Sequence, residues 1–358
     1  MSTLTRRNFG LTSAAAAFAP LAAAKLAPLT PGIKISMQVD EKASDDELTW
    51  IKQMGVEYLN VQTGTGRATL ENFQSIKKRM ESAGLKVWNI SNNDNRNIEE
   101  ITLNLPGRDG KIEWLKQYIR DTGKAGIGYI TYAHMANGIW SSTPESTRGG
   151  AAARAFKMDT AQGSWNGKTY ERPLSHGRKY SKEELWDNYT YFIRQIAPVA
   201  EEAGVRIGIH PDDPPVPELG GIPRHIFGTF DGYMRALEIA NSPAIGVCLC
   251  CGTWMEGGKS TGKDVFEAAR AFAKMGKLWK IHFRNVTAPI PYFVETYIDN
   301  GYTDMYKLMK TLVDADFRGN LIADHVPSMG SGRQPGWSYS MGYIRALHQA
   351  ALAERKRG

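Results

Sequence analysis

The sequence predicts an α/β protein, a single (β/α)8 barrel, from three observations. Eight short apolar segments of strand character alternate with eight amphipathic helical segments along the 358 residues. The apolar segments are continuous runs, as in strands that are buried on both faces. The last four segments each end in a residue type that binds metal ions, and barrel enzymes build their sites at the C-terminal ends of the strands. No internal repeat or low-complexity linker is present after residue 30, so we expect residues 25–358 to form one domain.

The predicted elements follow one another in the order that a barrel requires. Strands are predicted at 33–39, 56–62, 85–91, 128–133, 205–210, 245–250, 278–282 and 320–324. Helices are predicted at 45–54, 70–83, 112–125, 181–203, 230–241, 263–275, 305–315 and 343–354. Ser181 followed by Glu184 forms a capping box at the start of the fourth helix. Glycines stand where helices should end, at Gly55, Gly84, Gly204 and Gly276.

The longest stretch without a predicted barrel element covers about residues 135–180, after the fourth strand. Connections that follow barrel strands lie at the C-terminal face, where functional insertions occur. We therefore expect this insertion to lie beside the site, either as a lid or as a contact between subunits of a homo-oligomer.

The first 24 residues have the features of an export signal. Arg6 and Arg7 precede an apolar, alanine-rich run that ends in three small residues at 22–24. This is the pattern of a twin-arginine signal peptide, and the run is too short to remain as a membrane span. We expect export of the folded protein by the twin-arginine machinery, cleavage near Ala24 and a periplasmic mature protein. The alternative is an N-terminal tail that contains two arginines by chance.

Charge and cysteine content narrow the class of function. The formal net charge of +7, which falls to +5 when Arg6 and Arg7 are removed, suits an anionic small molecule, and no nucleic-acid-binding motif is present. Cys248, Cys250 and Cys251 lie too close together for a long-range disulfide framework. On a strand, Cys248 and Cys250 face the same way. The outer thiol, Cys250, is therefore the candidate ligand, and Cys248 is expected to be a core residue.

The last four predicted strands end in His210, Cys250, His282 and Asp324. Because the ends of parallel strands meet at one face of a barrel, we expect these side chains to converge on one divalent metal ion. A single histidine at a strand end is more often structural, but four ligand types in succession favour a metal site. A thiolate, two imidazoles and a carboxylate together would also suit zinc.

Six motifs follow one another in the second half of the chain. In order they are HPDDPP at 210–215, GIPR at 221–224, CCGT at 250–253, HFRN at 282–285, DMY at 304–306 and DH at 324–325. This ordered set resembles the mannonate dehydratases of the xylose-isomerase-like barrel superfamily. The resemblance extends over about residues 180–350.

The resemblance implies a metal-dependent hydro-lyase that converts D-mannonate into 2-keto-3-deoxy-D-gluconate and water. It implies manganese or iron(II) as the ion, and it places His325 and Tyr339 at the positions of the family's catalytic histidine and tyrosine. Two segments depart from the family pattern. The aromatic-rich, arginine-containing first strand is replaced by IKISMQ at 33–38, and a Phe-His-Glu run reads Phe-Val-Glu at 293–295.

Dehydration of a 2,3-dihydroxy acid needs three chemical groups. A Lewis acid stabilises charge on the carboxylate and the neighbouring hydroxyl oxygen, a base takes the C2 proton, and an acid assists the departure of the C3 hydroxyl. His325 and Tyr339 are competent for the two proton-transfer roles, in either assignment. For Tyr339 the alternative is packing beside Trp337 at the barrel rim.

Substrate binding is expected from six further polar residues: Arg284, Asn285, Asp212, Asp213, Arg224 and His134. Arg284 can pair with a carboxylate through two parallel hydrogen bonds. Asp212 and Asp213 can accept hydrogen bonds from sugar hydroxyls or orient His210, although Asp213 can also simply cap a turn. His134 ends the fourth strand and either contacts the substrate or has a structural role.

Two other functions are compatible with the same pattern. The first is a metal-dependent sugar isomerase or epimerase on the same barrel, but such enzymes commonly use carboxylate and histidine ligands, so Cys250 argues against it. The second is an exported sugar-acid-binding protein without catalysis, against which the presence of both His325 and Tyr339 argues.

Overall fold

The computed structural model describes residues 26–330 and 332–357, and its centre is a ring of eight parallel strands. These strands, β1 to β8, are Lys34–Asp40, Tyr58–Thr63, Lys86–Asn92, Tyr129–Tyr132, Arg206–Ile209, Ile245–Cys250, Leu278–His282 and Asn320–Ile322. Their hydrogen-bonded order is β3-β2-β1-β8-β7-β6-β5-β4, and β3 lies beside β4, so the ring is nearly closed. The predicted barrel is confirmed. The predicted export signal lies outside the described residues.

Ten α-helices accompany the strands in the described part of the chain. These helices, α1 to α10, are Asp45–Gln53, Leu70–Ser82, Glu99–Thr102, Arg108–Lys124, Lys182–Ala203, Phe230–Ala240, Cys251–Gly257, Val265–Lys274, Met305–Asp314 and Arg333–Arg355. The capping box at Ser181 and Glu184 is present, and Gly204 ends α5 with φ +68°. No helix among these residues has the length and apolar character needed to cross a bilayer.

The last helix differs most from its prediction. α10 begins at Arg333, ten residues before the predicted start, and therefore includes Tyr339. Pro335, Gly336 and Gly342 interrupt the apolar pattern of its first half, which hides the helix in the sequence. Proline is nevertheless compatible with the first turn of a helix, where its missing N–H has no partner to lose.

The insertion folds into antiparallel strands at the C-terminal face of the barrel. Its strands are Ile139–Ser146, Ala152–Lys157, Gln162–Trp165 and Lys168–Tyr170, and they form one six-stranded sheet with Asn285–Val286 and Tyr292–Thr296 after β7. Trp140 and Phe156, on the first two of these strands, are fully buried. Glu99 at the start of α3 bonds Lys168 at 2.6 Å and the Tyr170 hydroxyl at 3.0 Å. The insertion is thereby attached to the barrel rim.

Candidate active site

Three of the four predicted metal ligands lie together at the ends of β5, β6 and β7. The ligand atoms of His210, Cys250 and His282 are all within 4.8 Å of one another. The two imidazole ring centres are 5.0 Å apart. Cys250 stands opposite His282 in the register of β6 and β7, so strand pairing itself brings the thiol to the imidazole.

Asp324 follows β8 and contacts two members of this cluster. Its Oδ1 lies 3.2 Å from His282 Nδ1, and its Oδ2 lies 3.9 Å from Cys250 Sγ. The backbone of Asp324 has φ +65°, a left-handed conformation that is uncommon for residues other than glycine. Such strain persists where the surrounding structure requires it, which is frequent at functional sites.

The hydrogen bonding of the two imidazoles fits a metal site. His210 Nδ1 is 2.7 Å from the Pro211 carbonyl oxygen, and because that oxygen only accepts, Nδ1 carries the proton and Nε2 keeps its lone pair. Burial, together with the neighbouring His282, lowers the pKa of His210 to about 3, so the ring is neutral. In residues 26–330 and 332–357, His282 Nδ1 is buried without a hydrogen-bond partner, because Asp324 is near in distance but not in direction.

A thiol, two imidazoles and a carboxylate form a donor set that suits divalent transition metals, so the residues present fit the implied ion. Although burial lowers the pKa of His282, the charges of Asp324 and Cys248 outweigh it and hold that pKa well above the usual range. A proton and a metal ion therefore compete for this ring. Cys248 is buried one layer below Cys250, and its Sγ lies 3.4 Å from His282 Nε2, where it orients the ring.

His325 stands beside the metal cluster with one ring nitrogen held in place. Its Nδ1 lies 2.9 Å from both carboxylate oxygens of Glu295, and 42% of the side chain is exposed. Although the surrounding protein disfavours the charged ring, Asp324 and Glu295 outweigh this desolvation and raise the pKa of His325 to about 9. Nε2 remains for proton transfer with a ligand. Glu295 was visible in the sequence only as part of a departure from the family pattern, and its role was missed.

Tyr339 lies on α10 with its hydroxyl beside Arg148. Arg148 Nη2 donates to the hydroxyl oxygen at 3.5 Å, and Arg148 Nη1 donates to Asp299 at 2.6 Å. Tyr339 does not belong to the described wall of the cavity that contains His325. The catalytic role of Tyr339 stays a prediction.

Arg284 is buried and donates to protein acceptors from every guanidinium nitrogen. Nε bonds Asp324 at 3.1 Å, Nη1 bonds Glu256 at 2.8 Å, and Nη2 bonds Asp213 and Thr253 at 3.2 and 3.0 Å. Because each guanidinium nitrogen of Arg284 already has an acceptor within the protein, its pairing with a substrate carboxylate stays a prediction. Arg284 orients the Asp324 carboxylate.

Asp213 lines the metal cavity, but its carboxylate is bound by cations of the protein. Arg154, from the insertion, donates to Asp213 at 2.6 Å and to Glu295 at 2.9 Å. Although burial raises the pKa of Asp213, the charges of Arg154 and Arg284 outweigh it and hold that pKa well below its usual range. The insertion thus supplies a charge that supports the active site, which the sequence did not reveal.

The remaining predicted substrate-binding residues lie elsewhere. His134, Asp212 and Arg224 line a small neighbouring cavity and are not among the wall residues of the cavity at the metal cluster. His134 Nδ1 bonds the Tyr132 hydroxyl at 2.8 Å, and burial raises the pKa of Asp212 to about 6. The side chain of Asn285 donates to two main-chain carbonyls, at 3.2 and 3.0 Å. These residues support the site from behind its wall.

Three residues of the metal cluster, His210, His282 and Asp324, line a cavity that is partly open to solvent, with about 430 Å³ of space between its wall atoms. Sequence reasoning missed seven of its wall residues: Arg96, Asn97, Thr131, Ala133, Met135, Ile139 and Trp165. The first two follow β3, so the strand-end argument that identified the metal ligands could have found them. The last two come from the insertion, whose position the sequence does not fix.

Comparison with known proteins assigns the family. The family profile of D-mannonate dehydratase (UxuA) matches residues 47–356. The chain belongs to the mannonate dehydratase family. A mannonate dehydratase of Streptococcus suis (strain 05ZYH33) is 33% identical over 298 residues, which are 78% of this chain and 79% of that protein.

Solved structures give the same result. The mannonate dehydratase from Streptococcus suis serotype 2 has a TM-score of 0.78 and 30% sequence identity, covering 91% of this chain and 95% of that one. An L-ribulose 3-epimerase has a TM-score of 0.58 at 14% identity, covering 91% and 97%. The second likeness shows the shared barrel fold alone. The predicted mannonate dehydratase family, of the hydro-lyase class, and the xylose-isomerase-like barrel are thus confirmed.

Proposed function

We propose that this chain is a metal-dependent hydro-lyase that removes water from D-mannonate to give 2-keto-3-deoxy-D-gluconate. The proposal rests on the convergence of His210, Cys250 and His282, two of which share a cavity wall with His325, within a chain of the mannonate dehydratase family. Manganese and iron(II) are the proposed ions, and zinc is the alternative that the thiol leaves open.

The proposed site separates binding from proton transfer. His210, Cys250, His282 and Asp324 would hold the ion, which supplies a Lewis acid for the charge that develops on the substrate's oxygens. Arg284, with Nε 3.1 Å from Asp324 Oδ2, keeps that carboxylate in place. The neutral imidazole of His210 and the thiol of Cys250 complete a donor set for a divalent cation.

The protein's own residues carry the protons of the reaction. A base takes the C2 proton, the electron pair of the C2–H bond forms a C2=C3 double bond, and the C3–O bond breaks. An acid protonates the departing hydroxyl, which leaves as water, and the enol product tautomerises to the 2-keto acid. His325, with Nδ1 held by Glu295, is proposed for one of the two proton transfers. Tyr339 is proposed for the other.

Product analysis with a substrate panel tests the proposed function. Manganese-loaded protein is incubated with D-mannonate, other aldonic acids and ketoses, and we expect a 2-keto-3-deoxy acid from D-mannonate. The same protein treated with a chelator is the control, with activity restored by adding manganese, iron(II) or zinc separately. Sugar interconversion without loss of water would favour an isomerase or epimerase. Binding without turnover would favour a sugar-acid-binding protein.

We also propose that the protein is exported by the twin-arginine route, on the basis of Arg6, Arg7 and the alanine-rich run that follows them. Replacing both arginines by lysine is expected to leave the protein in the cytoplasm with an intact N-terminus. The unchanged protein is expected in the periplasm, beginning near residue 25. Mass spectrometry of the N-terminus after cell fractionation measures both. The same exchange at the exposed Arg194 and Arg270 is the control, and equal distribution of all three proteins would refute the proposal.

A further inference from the structure

The loop after β3 places an arginine in the wall of the metal cavity. Arg96 lines this cavity together with His282, Asp324 and His325, and it is the only arginine or lysine among the described wall residues. Its Nη2 donates to Asn93 Oδ1 at 2.6 Å. Its Nε is buried and has no hydrogen-bond partner within the described parts of the chain. One guanidinium nitrogen of Arg96 thus has no acceptor among the described residues, whereas every guanidinium nitrogen of Arg284 has one.

Asn97 adds a second unpartnered donor to the same wall. The residue is 4% exposed, and its Oδ1 accepts a hydrogen bond from the Met135 main-chain N–H at 3.1 Å. Its Nδ2 is buried without a partner among the residues that the structure describes. The backbone has φ +52°, which asparagine adopts more readily than most residues. The amide is therefore fixed by its oxygen, and its nitrogen remains available to a ligand.

A residue of the insertion holds Arg96 in this position. The Arg96 guanidinium carbon lies 5.3 Å from the ring centroid of Trp165, within the range of a cation–π contact. Trp165 Nε1 donates in turn to the Asn93 carbonyl oxygen at 3.3 Å. Because both the loop and the guanidinium are restrained, little conformational entropy is lost when a ligand binds there.

An unpartnered buried donor is costly unless a ligand or water satisfies it. A planar guanidinium beside an amide N–H pair matches the two oxygens of a carboxylate. We propose that Arg96 and Asn97 form the subsite that binds the carboxylate of the sugar acid. The inference rests on the proposed function for the identity of that acid, and requires of the ligand only a carboxylate within reach of the metal cluster.

The test compares a charged and a neutral ligand of the same carbon skeleton. Binding of D-mannonate and of D-mannitol is measured by calorimetry in a His325→Asn background, which is expected to stop turnover. Adding Arg96→Met is expected to weaken D-mannonate binding by about 10- to 100-fold, the scale of a lost charge-assisted hydrogen bond, and to leave D-mannitol binding unchanged. Arg96→Lys should recover part of the loss, because it restores the charge but not the planar donor pair.

Two further variants distinguish a loss of the carboxylate subsite from a general loss of folding. Asn97→Asp retains the oxygen that accepts from Met135 but replaces the donor with a negative charge, so D-mannonate binding should again fall selectively. Arg235→Met removes an exposed arginine that also stacks on a ring, Trp186 at 4.2 Å, but lies outside the cavity wall. It should bind D-mannonate like the unchanged protein. Metal content, measured for every variant, should stay the same.

The outcomes separate this inference from the proposed function. Unchanged D-mannonate affinity in Arg96→Met, or equal weakening of D-mannonate and D-mannitol, overturns the carboxylate subsite even if the protein dehydrates D-mannonate. Absence of dehydration in the His325-containing protein overturns the proposed function instead. In that case the comparison between an acid and its alditol is made with whichever aldonate of the panel binds, and selective loss of the acid still supports the subsite.

Discussion

Cys250→Ser is expected to release most of the bound metal and to reduce D-mannonate turnover by more than about 10²-fold. A neutral hydroxyl is a poor replacement for a thiolate ligand. The ligand atoms of Cys250, His210 and His282 lie within 4.8 Å of one another, so removing one of them weakens the binding of the ion by the whole cluster. Elemental analysis after dialysis measures metal per chain, and kcat/KM with D-mannonate measures the consequence. Excess metal should restore only a small part of the activity.

The neighbouring thiols are matched controls for this variant. Cys251→Ser changes a buried thiol that belongs to the apolar core, with Sγ 4.0 Å from the Leu249 carbonyl oxygen. It should keep its metal. Cys248→Ser should also keep most of it, because a serine hydroxyl can replace the sulfur that contacts His282 Nε2. Equal metal content in the unchanged protein and in Cys250→Ser would contradict the proposed metal site.

The barrel could be predicted because its strands have a distinctive amino-acid composition. A strand buried on both faces must be apolar throughout, so eight such runs separated by amphipathic helices leave few other folds. The observed strands begin or end within two residues of the predicted bounds. The start of α10 was missed because Pro335, Gly336 and Gly342 are poor helix formers, and packing against the barrel decides the structure there instead.

The metal ligands were predictable for a related reason. Parallel strands force their C-terminal ends together, so His210, Cys250 and His282 had to converge once the barrel was assumed. The same argument located Arg284 but not its hydrogen-bond partners. Strand-end position says where a side chain lies, whereas the acceptors that surround it come from other segments, such as Glu256 on α7.

Most of the site residues that sequence reasoning missed come from outside the barrel strands. Arg154 and Trp165 belong to the insertion, and Glu295 belongs to a strand that pairs with the insertion. The contacts of this sheet join residues more than 100 positions apart, for example Arg154 and Glu295. No periodicity in the sequence reports such pairing, so the residues that orient His325 and Arg96 became visible only in the folded structure.

His325→Asn is expected to lower kcat by about 10²-fold or more while metal content and KM remain close to those of the unchanged protein. Loss of a proton-transfer group has this scale, and an effect on kcat alone distinguishes it from loss of binding. Glu295→Gln should give a smaller loss of kcat, because its amide oxygen can still accept from His325 Nδ1 at the observed 2.9 Å but carries no charge to stabilise the imidazolium. Steady-state kinetics with D-mannonate, beside elemental analysis, measures each variant.

Tyr339→Phe tests whether the hydroxyl of Tyr339, on α10, makes the second proton transfer. If the Tyr339 hydroxyl is the partner of His325, this variant should also lose about 10²-fold in kcat, although the hydroxyl accepts a hydrogen bond from Arg148 at 3.5 Å. Tyr343→Phe is the control and should retain its turnover. The Tyr343 ring stacks on the Tyr339 ring, with 6.4 Å between the two ring centroids. Near-normal turnover in Tyr339→Phe with a large loss in His325→Asn would assign the second transfer to another group. Near-normal turnover in both would refute the catalytic pair, even if Cys250→Ser had lost its metal.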